Sequence, residues 1–255
     1  MRSKKTYIIL IIILFIFFII MFLLFGVDNI RKNKYETSII VGEDSVFALR
    51  KQKWYNVQKY DDFNWKKYSI YLNNEYFGKY YLWNDDKWYA FDKEKNPIDL
   101  DGSLLGIKSN YKVNVYNFTE ENVVDSTYID KVLSDNEITS SKFTSKYKIN
   151  FDFDNDLVDE DFYVISNAFI LDDQPEKIFS IVFMVKNDEI KYIYKDVRKN
   201  TSLNGCKPYI NSFLDIDKDN KYELIVGCAE YSVSKNTIML YQLKNNEFKI
   251  LISNQ

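Results

Sequence analysis

Residues 210–227 read INSFLDIDKDNKYELIVG. An apolar, β-branched run enters a cluster of Asp, Asn and Lys and leaves it as Leu224-Ile225-Val226. Segments of that kind on either side of turn-forming residues predict a strand, a tight loop and a second strand. Earlier, at 149–166, the chain reads INFDFDNDLVDEDFYVIS, with its acidic positions 63 residues before those of the later copy. Asp152, Asp154, Asp156 and Glu160 of that copy correspond to Asp215, Asp217, Asp219 and Glu223. Each copy is followed by another apolar pair, at 178–194 and 238–252, with matching turns Lys186-Asn187-Asp188-Glu189 and Lys244-Asn245-Asn246-Glu247. Each repeat is therefore expected to be four antiparallel strands, the make-up of a propeller blade or a related β-meander. Two such units cannot close a propeller, so the N-terminal strands must form further blades or a separate sheet.

Both loops have the spacing D-x-D-x-D-x-x-x-E. Carboxylates at positions 1, 3 and 5 converge on one point when the backbone curls, position 7 offers a carbonyl, and a carboxylate at 9 can close the shell. The result is an all-oxygen cage suited to Ca²⁺, which takes 6–8 oxygens at about 2.3–2.6 Å. Four carboxylates so close repel one another unless a cation is present. The expected ligands are Asp215, Asp217, Asp219, the Lys221 carbonyl and Glu223 in the second loop. In the first they are Asp152, Asp154, Asp156, the Val158 carbonyl and Glu160. The loops are not EF-hands, since position 12 is Tyr163 or Val226 and the flanks are strands. Solvated acidic turns without an ion are the competing reading; the repeated spacing favours calcium in a structural role.

The run Asp215-Ile216-Asp217-Lys218-Asp219-Asn220-Lys221-Tyr222-Glu223, leading into an apolar strand, resembles the FG-GAP/VCBS repeat, and the first loop is similar. The resemblance covers residues 147–255. It implies β-propeller blades, calcium in the loops and a cell-surface or adhesion role. Both copies depart from that pattern at loop position 6, where the family prefers Gly. Asn220 tolerates a left-handed backbone and Leu157 resists it, so the first loop is expected to bind more weakly.

The region before the repeats, 38–146, shows hairpin turns at Gly42-Glu43-Asp44, Asn73-Asn74-Glu75 and Asn84-Asp85-Asp86. Ser126 can cap a helix near 126–136 whose Ile129, Val132 and Leu133 share a face. A polar connector at 134–146 marks the candidate boundary before the repeats. All four Trp lie between Trp54 and Trp88, among many Tyr. They either fill a small β core as cross-strand pairs, the simpler reading, or present rings to sugars. Cys206 and Cys228 are candidates for a disulfide. A hairpin centred on Asp219 sets Cys228 opposite residue 210, about 13 Å of strand from Cys206, too far to bridge. Gly205 and Pro208 could fold Cys206 back, so both outcomes stay open.

At the other end of the chain, residues 7–25 are 19 consecutive uncharged residues, nearly all Ile, Leu and Phe. At about 1.5 Å per residue they would span about 28 Å of bilayer as a helix. The run exceeds a secretory h-region and lacks a small-x-small cleavage site, which predicts an uncleaved anchor. Arg2, Lys4 and Lys5 precede it. The expected layout is a cytoplasmic tail at 1–6, the anchor at 7–25, a linker at 26–37 and an extracytoplasmic body beyond. Residues 1–34 carry a net +5 against −3 for the whole chain, leaving −8 for the body, which argues against a nucleic-acid partner. The complete absence of His excludes Ser-His-Asp and Cys-His catalysis and His-ligated zinc.

The sequence thus predicts a mainly β chain of antiparallel sheets with one transmembrane helix and one short helix. Its expected function is that of a single-pass, membrane-anchored binding or adhesion module stabilised by calcium, with a protein or glycan ligand. The alternatives are a carboxylate hydrolase acting on envelope glycans, for example through Glu160 and Asp161, and a structural partner of other envelope proteins.

Overall fold

The computed structural model describes residues 35–43, 45–123, 126–139, 142–169, 175–199, 205–230 and 236–254. The expected anchor at 7–25 lies outside them. Among the described residues no helix is long and apolar enough to cross a membrane. The fold is mainly β, in three antiparallel sheets that do not close into a barrel.

The strands are β1 (Thr37–Val41), β2 (Ser45–Arg50), β3 (Lys53–Asn56), β4 (Lys66–Leu72), β5 (Glu75–Asn84), β6 (Trp88–Phe91), β7 (Pro97–Ile98), β8 (Leu104–Ser109), β9 (Asn114–Tyr116) and β10 (Glu121–Asn122). Helix α1 (Thr127–Asp135) follows, and then β11 (Ser145–Phe151), β12 (Glu160–Ser166), β13 (Lys177–Lys186), β14 (Glu189–Lys199), β15 (Cys206–Asp215), β16 (Glu223–Glu230), β17 (Thr237–Lys244) and β18 (Glu247–Ser253). Each repeat is a four-stranded meander, β11–β14 and β15–β18, as its sequence predicts. The N-terminal region forms an eight-stranded sheet in the order β3-β2-β1-β8-β4-β5-β6-β7. It also lends edge strands to the repeats. β10 pairs with β11 and β9 with β15, although both precede the polar connector.

Turn chemistry sets the hairpins. Asn187 and Asp188, Asn245 and Asn246, and Asn73 and Asn74 all have positive φ, between 51° and 67°. Two consecutive left-handed residues match the twist of the flanking strands, and Asn and Asp enter that region most readily after Gly. Helix α1 begins as expected, with the Ser126 hydroxyl accepting from the Ile129 amide at 3.4 Å.

The sheets stack face to face. Phe151, Phe153 and Phe162 of the first repeat interdigitate with Phe213, Leu224 and Met239 of the second. Phe213 sits at the centre, with ring centroids of Phe151 and Phe162 at 4.9 and 5.0 Å. The other face of the second repeat, Leu214, Ile225 and Leu240, packs on Ile39, Phe47 and Ile107 of the large sheet. The outer face of the first repeat is covered by Ile129 and Val132 of α1. Strands β12, β13 and β16 are therefore covered on both sides, which is why they read as continuous apolar runs rather than alternating ones.

Cys206 and Cys228 are joined, with Cα atoms 5.5 Å apart. The separation inferred from uniform pairing is wrong for an identifiable reason. The hairpin centre lies between Lys218 and Asp219 rather than on Asp219, and a bulge between Ile210 and Ser212 shifts the register by one residue more, so that Cys228 faces Pro208 and Cys206 is its diagonal neighbour.

Candidate metal centre

The two acidic loops are built alike. Each connects the first two strands of its meander, and each carries two left-handed residues at matching positions, Asn155 and Leu157 in one and Lys218 and Asn220 in the other. Leu157 takes this conformation at φ 72°, with its side chain 91% exposed, so the difference between the loops does not lie in the turn. Asp152 accepts from the amides of Asp156 and Leu157 at 3.0 and 2.9 Å, and Asp156 from Val158 at 3.0 Å. Asp219 likewise accepts from Lys221 at 2.8 Å. Beneath each loop the position-9 glutamate is buried and braces the backbone. Glu160 accepts from the Phe153 amide at 2.8 Å and Glu223 from the Ile216 amide at 2.9 Å.

The expected triads do converge. Carboxylate oxygens of Asp152, Asp154 and Asp156 lie within 4.8 Å of one another, and so do those of Asp215, Asp217 and Asp219. Either triad could hold a metal ion. The glutamates are not part of these clusters; they serve first as backbone acceptors.

What the sequence reading missed is a lysine. The Lys186 ammonium lies 2.8 Å from Asp154, 2.6 Å from Asp156 and 2.7 Å from Glu160 Oε1. Its side chain is 13% exposed. Glu160 Oε1 has no partner at hydrogen-bond angles, so its neutralisation comes from this neighbouring charge. Burial alone would lower the Lys186 pKa, but the bonds to the three carboxylates raise it, and the same bond holds Asp156 below the usual carboxylate range. The first cage already contains a cation.

In the second loop that place is taken by a neutral amide. One step beyond the pair Asp161↔Val185, Glu160 faces Lys186; one step beyond Leu224↔Tyr241, Glu223 faces Gln242. Gln242 donates to Glu223 at 3.1 Å and to Asp217 at 3.4 Å. Among the described residues no ammonium or guanidinium forms an ion pair with these carboxylates, and burial dominates their titration. It pushes Glu223 up to about 8 and raises Asp215 and Asp217. Asp215 is 3% exposed, and its Oδ1 has no hydrogen-bond partner. A buried carboxylate oxygen left in that state is costly unless it is protonated or meets a cation.

Matching the repeats by their turns equates Lys186 with Lys244 and hides this difference. Counting along the ladders exposes it, because β17 runs two residues past Gln242 before its turn. The pair Glu160 and Asp161, considered for acid–base work, is not a facing pair. Glu160 is held by Lys186, and Asp161 accepts from Lys148 and Asn150 at 3.3 and 3.0 Å.

No protein-family model matches the chain. No curated protein matches it. No solved structure matches it either.

Proposed function

We propose that the chain is a membrane-anchored, extracytoplasmic binding module stabilised by one Ca²⁺, held in the second loop by Asp215, Asp217 and Asp219. The observation that carries this reading is the contrast between the loops: the first contains its own ammonium, and among the described residues the second has no ion-pair partner for its three carboxylates, with a buried Asp215 oxygen unbonded. The ligands are all hard oxygens, and millimolar calcium outside cells suffices for a weak site of this kind. The similarity of both loops to FG-GAP/VCBS repeats supports the same assignment, as does the repeat's four-stranded meander. The Cys206–Cys228 bridge belongs to an oxidising compartment and supports the extracytoplasmic placement, with residues 7–25 as the anchor.

The test is thermal unfolding of the full-length chain in calcium and in chelator. At a hundredfold excess over the dissociation constant, binding to the folded state alone adds about 2.7 kcal/mol. For a domain of this size that is a shift of roughly 5–10 °C. The double change Asp217→Ala, Asp219→Ala should remove the shift. Asp154→Ala, Asp156→Ala should lower the melting temperature in both buffers and leave the shift intact. An identical melting temperature with and without calcium in the unmutated chain refutes the assignment.

A further inference from the structure

The large sheet has two halves. Its β1–β8 half is buried against the second repeat, whereas β4, β5 and β6 continue the same face into the open. The register shows what is on that open face. Lys67 is opposite Tyr81, Ser69 opposite Lys79 and Tyr71 opposite Tyr76. Beyond them Tyr81 pairs with Phe91 and Trp83 with Tyr89. Trp65 lies against Trp83 and Phe91 with centroids at 6.4 and 5.0 Å. Trp65 and Tyr76 are 45% and 58% exposed. Large rings are usually buried, so a connected row of partly exposed ones is a feature that folding alone does not explain.

At one end of this row is a cleft of about 840 Å³, between the β4–β5 face and the segment 109–115. That volume is within the range of ligand sites. Among the described residues Lys67, Lys79 and Lys112 line it, with Tyr71 and Tyr76, and no carboxylate does; Lys108 borders it through its strand, on the sheet face of its partner Ser38. Among the described residues Lys79, Lys108 and Lys112 have no ion-pair partner. Three lysines gathered in one concavity run against the −8 net charge of residues 35–255. A cleft lined by one sign of charge focuses the field on a ligand of the opposite sign.

We propose that this face binds an anionic glycan, with carboxylate- or phosphate-bearing sugars in the lysine cleft and further rings stacked along Tyr81, Trp83 and Trp65. At about 3.3 Å per residue, β5 from Tyr76 to Trp83 extends about 23 Å, room for several sugar rings in line. Aromatic side chains give apolar contact with a polar edge, suited to the two-sided surface of a sugar. Among the described residues the cleft has lysines and no arginine, so it presents separate point charges rather than planar forks for bidentate phosphate. Separate charges fit a polymer with its own charges spaced along the chain. The acidic surface elsewhere disfavours nucleic acid, whose backbone charge demands a broader basic footprint.

The experiment measures binding to the full-length chain by tryptophan fluorescence and calorimetry. The probes are an oligogalacturonate, a phosphodiester-linked sugar oligomer, a neutral galactose oligomer and a single-stranded oligonucleotide. One or both anionic glycans should bind, at least tenfold tighter than the neutral oligomer, with affinity falling as salt rises. Which of the two binds tells whether the charge read is carboxylate or phosphate. Lys79→Gln, Lys112→Gln should weaken binding at least fivefold, as should Trp83→Ala, with melting temperatures of the lysine variants unchanged. Absence of binding by both anionic glycans at millimolar concentration, indifference to the lysine changes, or tighter binding of the oligonucleotide would overturn the proposal.

Discussion

Replacing Lys186 by Gln should convert the first loop into a cation site. The change makes the first cage resemble the second, in which Gln242 occupies the equivalent ladder position. Without the ammonium, Asp154, Asp156 and Glu160 lose a partner at 2.6–2.8 Å. Removing one member of a fully buried ion pair costs about 3–5 kcal/mol. Asp156 is 45% exposed and Asp154 22%, so solvent screens part of the loss and about 2–4 kcal/mol is the expected range. In chelator the variant should therefore melt roughly 5–15 °C below the parent. In calcium much of that loss should return, since a site at a hundredfold excess over its dissociation constant contributes about 2.7 kcal/mol. Two measurements read the result. The calcium-induced rise in melting temperature should be larger in Lys186→Gln than in the parent, and calorimetry should count two ions per chain where the parent binds one. Lys186→Met, which removes the charge without adding an amide, should show the same second site. If both variants are equally destabilised in calcium and in chelator, with no added ion, the ammonium is an ordinary structural charge and not a substitute for a metal.

Burial raises the Glu223 pKa to about 8, above its unfolded value, so the folded state holds a proton that the unfolded state releases. In chelator, stability should fall as pH rises from about 5 to 8, and calcium, which favours the ionised carboxyls, should flatten that slope; a slope rising with pH in chelator contradicts the burial argument. Reducing the Cys206–Cys228 bridge, which spans 22 residues, should cost about 3 kcal/mol and lower the melting temperature under thiol, whereas a Cys206→Ser, Cys228→Ser chain should be insensitive to thiol. The glycan cleft shares a wall with the second loop: Tyr111 donates to the Ile216 carbonyl, and Asn114 of β9 pairs with Asp215. At fixed calcium, Asp217→Ala, Asp219→Ala should therefore weaken binding of the anionic probe severalfold, and unchanged affinity would mean that the two sites are independent.

The parts of this fold legible in the sequence are those set by local chemistry. Asn-Asp and Asn-Asn turns specify their hairpins whatever surrounds them, Ser126 caps its helix, and the alternating aspartates curl into a triad in both repeats. The illegible parts depend on pairing at a distance. The hairpin centre between Lys218 and Asp219 and the bulge at Ile210/Ser212 together bring Cys228 within reach of Cys206, and no residue type nearby announces the shift. The alternation at 112–116 does predict β9, but not its partner in the second repeat, and β10 is two residues long, too short for periodicity; both tie the N-terminal region to the repeat sheets.

The candidate site falls between these cases. Its ligands follow from spacing alone, but its charge does not, because the deciding residue arrives from a neighbouring strand. Lys186 reads as hairpin punctuation when aligned with Lys244 and as a counter-ion when placed opposite Glu160. The difference between the two loops is thus carried by ladder register and by one substitution, Lys against Gln, rather than by the left-handed turn where Leu157 and Asn220 differ. Since both turns adopt the same conformation, a loop's acidic motif says only that carboxylates are gathered where a cation could sit. Whether a side chain already supplies the positive charge is written on the strand across from the loop.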